Sequence, residues 1–212
     1  MNTRALVLCG DTWHPTDTVR SGLAALNDCG FHFEFLDDST AWSATRMNEF
    51  PLTILAKANI TSADMERPWL AGDAQHAFPE YVRRGHGLVV VHAGTSRYEK
   101  LPAMLNLMGG AFVSHPNACA VTVEPKPGHR LTAGIAPFTV RDEHYLMALD
   151  DAQADIFLHS RSCYGVQPAG WTRTDGAGRV CVLTPGHDLE VWQHPSFRKL
   201  LLNAFGWTAK LN

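Results

Sequence analysis

The sequence predicts an α/β fold built on a mostly parallel central sheet. Runs at 5–10, 52–58, 87–92 and 180–183 are nearly continuous in Val, Ile, Leu, Ala and Cys, the signature of strands covered on both faces. Segments with apolar residues at helical spacing lie between them, as parallel strands joined by crossover helices require. The 212 residues, 45% apolar and 18% charged, suffice for one sizeable core, and no linker or repeat divides them, so 1–212 reads as a single domain.

"ALVLCG" (5–10) is the first strand. Thr16-Asp17 is placed to cap a helix that carries Val19, Leu23 and Leu26 toward the Asn27-Asp28-Cys29-Gly30 stop. "FHFEFLDD" (31–38) alternates apolar and polar residues and reads as a second strand, and "LTILAKA" (52–58) as a third. Residues 79–84 fit the last turns of a helix ended by Gly85 and Gly87, and "GLVVVHAGTS" (87–96) is the fourth strand. After Gly109-Gly110 the pattern loosens. "ACAVTVEP" (118–125), "FTVRDEHYL" (138–146), "DIFLHSRS" (155–162) and "WTRT" (171–174) read as strands of a more antiparallel region, with a short link at 128–135. The chain then returns to a buried strand that stops at Pro185-Gly186, and a helix closes it. The parallel sheet is expected to contain 5–10, 32–37, 52–57, 87–92 and 179–184.

Composition removes several classes of function. A net charge of −3 without a dense Lys/Arg cluster argues against nucleic acid and against an anionic membrane surface as partners. No apolar stretch approaches membrane-spanning length, and "MNTRALVLCG" reads as a strand rather than a secretory leader. Five cysteines with no C-x-x-C indicate neither a disulfide framework nor a zinc ribbon, and Cys9 and Cys181 read as small core fillers. The expectation is a cytoplasmic protein acting on a small molecule. A homodimer is the assembly to expect if 118–146 exposes apolar surface.

Eleven histidines set the chemistry. In open α/β sheets ligands bind at the carboxyl ends of the strands. Asp11, Trp13 and His14 follow the first strand, Asn59 the third, His92 the fourth, and His187 with Asp188 the last. "DEHY" places Asp142, Glu143, His144 and Tyr145 late in the strand over 138–146. His92, Glu143 and His187 are the candidate catalytic residues, because an imidazole and a carboxylate side by side can move a proton next to a carbonyl. Asp11, Trp13, His14, Asn59, His115 and Tyr145 are the candidate substrate contacts, with Trp13 and Tyr145 as stacking or hydrogen-bonding walls. Plainer readings stand beside these. His187 could bond only to backbone in its turn, Glu143 could pair with Arg141 or Arg161, and Asp11 and His14 could be exposed turn residues. His144 would face away from Glu143 in a regular strand.

"GHGLVVVHAGTS", "GGAFVSHP", "GHRLTAGIAPFTVRDEHY" and "GRVCVLTPGHDLEVWQHPSFRKLLLNAFGW" occur in this order and spacing. Together they resemble the ThuA-like family, and the resemblance spans nearly the whole chain. It implies a flavodoxin-like, three-layer fold related to the class I glutamine amidotransferases. Those relatives use a cysteine nucleophile on a tight turn after a central strand, and this chain has His92 at that place. An acyl-enzyme route through a thiolate therefore lacks its nucleophile, and glutamine hydrolysis is not expected. Family members are associated with the metabolism of oxidised sugars, and some look able to hold a divalent metal. Imidazoles with a carboxylate suit zinc or manganese, so His92, Glu143 and His187 are also the candidate metal ligands. With no H-x-x-x-H or H-E-x-x-H, such ligands would have to meet from distant loops. Two readings of function follow: an enzyme acting on a keto-sugar or glycoside, or a non-catalytic sugar-binding or assembly protein on a degenerate amidotransferase fold.

Overall fold

A computed structural model describes residues 2–149, 152 and 154–211. Strands β1 (Thr3–Cys9), β2 (Phe31–Leu36), β3 (Leu52–Ala56) and β4 (Gly87–Val91) are followed by β5 (Gly110–Ser114), β6 (Cys119–Pro125), β7 (Phe138–Asp142) and β8 (Leu146–Leu149). β9 (Asp155–Ser162), β10 (Gly165–Asp175) and β11 (Gly178–Leu183) complete the set. One sheet takes nine of them in the order β2-β1-β3-β4-β11-β10-β9-β6-β7. The first five in that order are mutually parallel, and the last four add antiparallel neighbours. The five parallel members are the segments the sequence assigns to the parallel sheet.

The period-2 alternation of each parallel strand divides the core into two layers. On one face Ala5, Val7 and Cys9 of β1, Val89 and Val91 of β4, and Cys181 and Leu183 of β11 pack together. They meet α1 (Thr16–Ala24), α5 (Leu189–Gln193) and α6 (Pro195–Thr208) through Val19, Leu23, Trp192, Phe197, Leu201 and Phe205. On the other face Leu6, Leu8, Leu88, Val90, Val180 and Val182 meet α2 (Ala44–Met47), α3 (Ala77–Arg83) and α4 (Pro102–Met108) through Met47, Phe78, Tyr81, Met104 and Met108. These residues are all buried, and each Leu or Val so placed contributes about 1.5–3 kcal/mol.

Three expectations are corrected. Thr16-Asp17 does not cap α1: the N-cap is Pro15, without a side-chain cap bond, and α1 stops at Ala24 before a short 3-10 turn over Asn27–Cys29. The closing helix is two helices, because His194 is extended and Pro195 opens α6. The segment 138–146 is not one strand. β7 ends at Asp142, residues 143–145 form a loop, and β8 leaves the sheet to pair with β5 in a separate two-stranded ribbon. The break turns Glu143 and Tyr145 toward the parallel strands.

All five cysteines are free. No helix among the described residues is long and apolar enough to cross a membrane. Among the described residues the exposed large apolar side chains are at 13, 65, 113, 164, 166, 189 and 211, none of them in 118–146.

Candidate metal centre

The carboxyl ends of β1, β3, β4 and β11 lie side by side, and the loop after β7 closes over them. His92 leaves β4 on a 3-10 turn with φ of 47°, a left-handed conformation unusual for a residue with a Cβ. The turn keeps His92 buried and brings its Nδ1 within 2.8 Å of the Thr184 carbonyl at the end of β11. A carbonyl only accepts, so Nδ1 carries the hydrogen and Nε2 keeps its lone pair. His187 follows Gly186, whose φ of 139° a side chain would disfavour.

Glu143 joins them. Its Oε2 lies 3.4 Å from His92 Nε2 and 3.3 Å from His187 Nδ1, and its Oε1 lies 3.5 Å from His115 Nε2. Asp142 staples this loop to the β11 turn: its two oxygens accept the backbone N–H groups of Gly186 at 2.9 Å and His187 at 3.0 Å. His14 completes a triangle, its ring centroid 5.2 Å from His92 and 5.2 Å from His187, which are 5.4 Å apart. One ligand atom from each of His14, His92, Glu143 and His187 lies within 4.8 Å of the others. His14 Nε2, His92 Nε2 and His187 Nδ1 are all buried without a hydrogen-bond partner among the described residues.

Electrostatics separates the four. Burial pushes His92 down to about 4, despite Glu143 beside it. The nearby Glu143 carboxylate raises His187 above the ordinary imidazole value. Burial alone would raise Glu143, but the His187 and His92 imidazoles outweigh it and hold the carboxyl well below its usual range. Asp142 is pushed up to about 7 by burial, against the lowering effect of its backbone N–H partners.

Above the centre opens a cleft of about 1070 Å³. Its walls are Trp13, Phe112, His115 and Tyr145, and His14, Glu143 and His187 reach it from below. Tyr145 stacks on His92 with centroids 4.0 Å apart, so His92 lies behind the cleft surface. At the mouth, Arg97 covers one face of Trp13 at 4.4 Å and ion-pairs with Glu66 at 2.7 Å.

The structure thus brings His92, Glu143, His187, His14, His115, Trp13 and Tyr145 to one place. Two expected substrate contacts lie elsewhere. Asn59 is buried and uses its amide on Leu70, donating to the carbonyl at 3.0 Å and accepting the N–H at 2.9 Å. Asp11 is buried behind His14 and does not line the cleft. The alternative ion pairs for Glu143 are absent too, because Arg141 pairs with Asp188 and Arg161 with Glu124. His144 is fully buried and bonds to Ser160 and Ser162. Sequence reasoning placed His14 among the substrate contacts rather than beside His92, Glu143 and His187, and did not single out Asp142 as a clamp. The only local signal for either was a neighbouring acid: Asp11 three residues before His14, and Asp142 next to Glu143.

A family model described as "ThuA: Trehalose utilisation" matches residues 4–208. The chain belongs to the ThuA family. A putative ThuA-like protein from Parabacteroides merdae superposes with a TM-score of 0.80 at 18% identity, covering 100% of this chain and 91% of that one. A second, from Bacteroides uniformis, gives 0.76 at 20% identity, over 97% and 91%. The β-galactosidase of Rahnella sp. R3 gives 0.69 at 14% identity, with this chain matching 32% of its length. At these identities the ThuA fold is what is shared. A comparison with curated proteins gives no match.

Proposed function

We propose that this ThuA-family protein is a metal-dependent enzyme acting on a keto-sugar or glycoside, with His14, His92, His187 and Glu143 holding a divalent ion such as zinc or manganese. The observation that carries the reading is the convergence of ligand atoms from three histidines and one carboxylate within 4.8 Å, with one buried nitrogen of each histidine making no hydrogen bond and two of the three facing Glu143 Oε2. Orphaned buried polar atoms are costly, and three in one place are accounted for by a shared ligand. Three nitrogens and an oxygen suit zinc, manganese and similar ions. When bound, such an ion polarises a carbonyl or lowers the pKa of water.

This chain's own residues supply the rest. Tyr145, stacked on His92, is a wall from which a hydroxyl can orient a sugar oxygen. Trp13, 46% exposed at the cleft mouth, offers a ring face to a pyranose. Glu143 Oε1 and His115 Nε2 face each other at 3.5 Å, and His115 lines the cleft, so a proton can pass between this pair and the substrate. The family description, trehalose utilisation, supports a sugar as the ligand.

Elemental analysis of the purified protein, before and after chelator treatment, tests the centre. One equivalent of a transition metal is expected in the wild type and much less in His92→Ala and His187→Ala. A panel of keto-sugars and glycosides, assayed with and without the restored metal, tests the activity. A metal-free protein whose turnover is indifferent to chelator and added ion would instead make the His187–Glu143 pair a simple acid/base couple. Stoichiometric metal with sugar binding and no turnover would favour a binding protein.

A further inference from the structure

We propose that Asp11 is the positioning residue of this centre, fixing the tautomer and rotation of His14 so that Nε2 meets the other ligand atoms; the role rests on the metal reading above. Asp11 is 1% exposed and opens the turn after β1 that closes at His14. Its Oδ1 accepts the backbone N–H of Trp13 at 2.9 Å and of His14 at 3.0 Å. Its Oδ2 accepts the N–H of Ala58, beyond β3, at 2.8 Å. Both oxygens face His14 Nδ1, at 2.8 and 3.0 Å.

The tautomer follows. An ionised carboxylate has no hydrogen to give, so the short contact requires the hydrogen on Nδ1. His14 Nε2 is then bare, and it is the buried atom left without a partner. The same two oxygens hold the backbone of residues 13, 14 and 58, so one side chain sets both where the imidazole sits and how it is turned. Despite its burial, the Asp11 carboxyl is held below its ordinary range by the His14 ring N–H and the two backbone N–H groups at Oδ1, with the Ala58 N–H at Oδ2. Thr184 serves His92 in the same way with a neutral carbonyl. Of the two, the carboxylate raises the basicity of its ligand more.

Asp11→Asn is the informative change. The amide keeps one acceptor and replaces the other with a donor, which must face an N–H group of Ala58 or of His14. Zinc affinity would be measured by chelator competition on the wild type, Asp11→Asn, His14→Ala and the double variant. Asp11→Asn is expected to weaken zinc roughly 10–100-fold. In the His14→Ala background the same change should alter affinity by less than about threefold, because its effect passes through His14. Equal losses in both backgrounds would reduce Asp11 to a general structural residue and overturn the proposal. Nitrogen-15 NMR of the metal-free protein supplies a readout that needs no zinc and, for the wild type, no variant. His14 should be the Nδ1–H tautomer in the wild type, and an Nε2–H ring would overturn the proposal outright. A wild type that binds no zinc but shows Nδ1–H on His14, lost in Asp11→Asn, would remove the metal reading and leave the positioning role standing.

Discussion

His92 combines a strained backbone with a buried ring. A residue with a Cβ at φ of 47° sits in a region that costs about 1–2 kcal/mol. His92→Ala keeps that strain and His92→Gly relieves it, so the Gly variant should be more stable than the Ala variant by about 1 kcal/mol. Thermal melts of the two, both lacking the imidazole, check this, and an Ala variant melting above the Gly variant would show the turn unstrained. His92 also sets a pH dependence. In the unfolded chain it titrates near the usual imidazole value of about 6.5. In the fold, burial lowers it to about 4. Its contribution is therefore fully present above pH ~6.5 and is lost as pH falls through about 4. Metal-free protein should lose stability across that window in urea titrations, and His92→Gln should lose less. His187 runs the other way. Its raised value means stability that is present below about 6.5 and lost as pH rises through the folded value.

At the scale of elements, α1 and α5 hold the β11 turn in place. A Cβ on Gly22 of α1 would lie 2.5 Å from Trp192 Cβ, so the two helices meet with nothing between them. The Trp192 indole N–H donates to the Gly186 carbonyl at 2.8 Å, which couples this packing to the turn that carries His187. Gly22→Ala should cost about 1–3 kcal/mol by overpacking. It should also weaken zinc binding, because Trp192 cannot move without releasing Gly186. Urea denaturation and chelator competition on the same variant test both parts, and a stability loss with unchanged zinc affinity would uncouple helix packing from the turn. The loop between β7 and β8 shows the same dependence on distant partners. "FTVRDEHYL" has the alternation of one strand, yet it breaks after Asp142, whose carboxylate is taken by two N–H groups 44 and 45 residues further on.

At the scale of the whole molecule, five parallel strands aim their carboxyl ends at one edge, and the antiparallel extension returns Glu143 to it. The tight turn after β4 carries His92 and no cysteine. The two core thiols are poor nucleophiles: burial pushes Cys9 up to about 12 and raises Cys181 as well. The protein should release no ammonia from glutamine. Iodoacetamide should label the exposed Cys29 and Cys163 and leave zinc binding unchanged. Ammonia assays and zinc titration after labelling test this, and thiol-sensitive glutamine hydrolysis would refute it.

The sequence by itself determined the sheet and its working edge. Strand periodicity is a local property of the backbone, and a buried parallel strand writes its burial into consecutive Val, Ile and Leu. The ends of those strands, and so His92 and His187, were legible with it. What only the tertiary structure decided was the partner of each polar side chain. Asn59 and Asp11 follow strands as readily as His92 does, but Asn59 closes on Leu70 and Asp11 turns back onto His14 and Ala58. His14 joins the cluster with its Nδ1 against Asp11, and Glu143 faces the histidines from a loop that Asp142 anchors to the β11 turn. Such pairings join residues tens of positions apart through loops of irregular backbone, and no local period encodes where those loops meet.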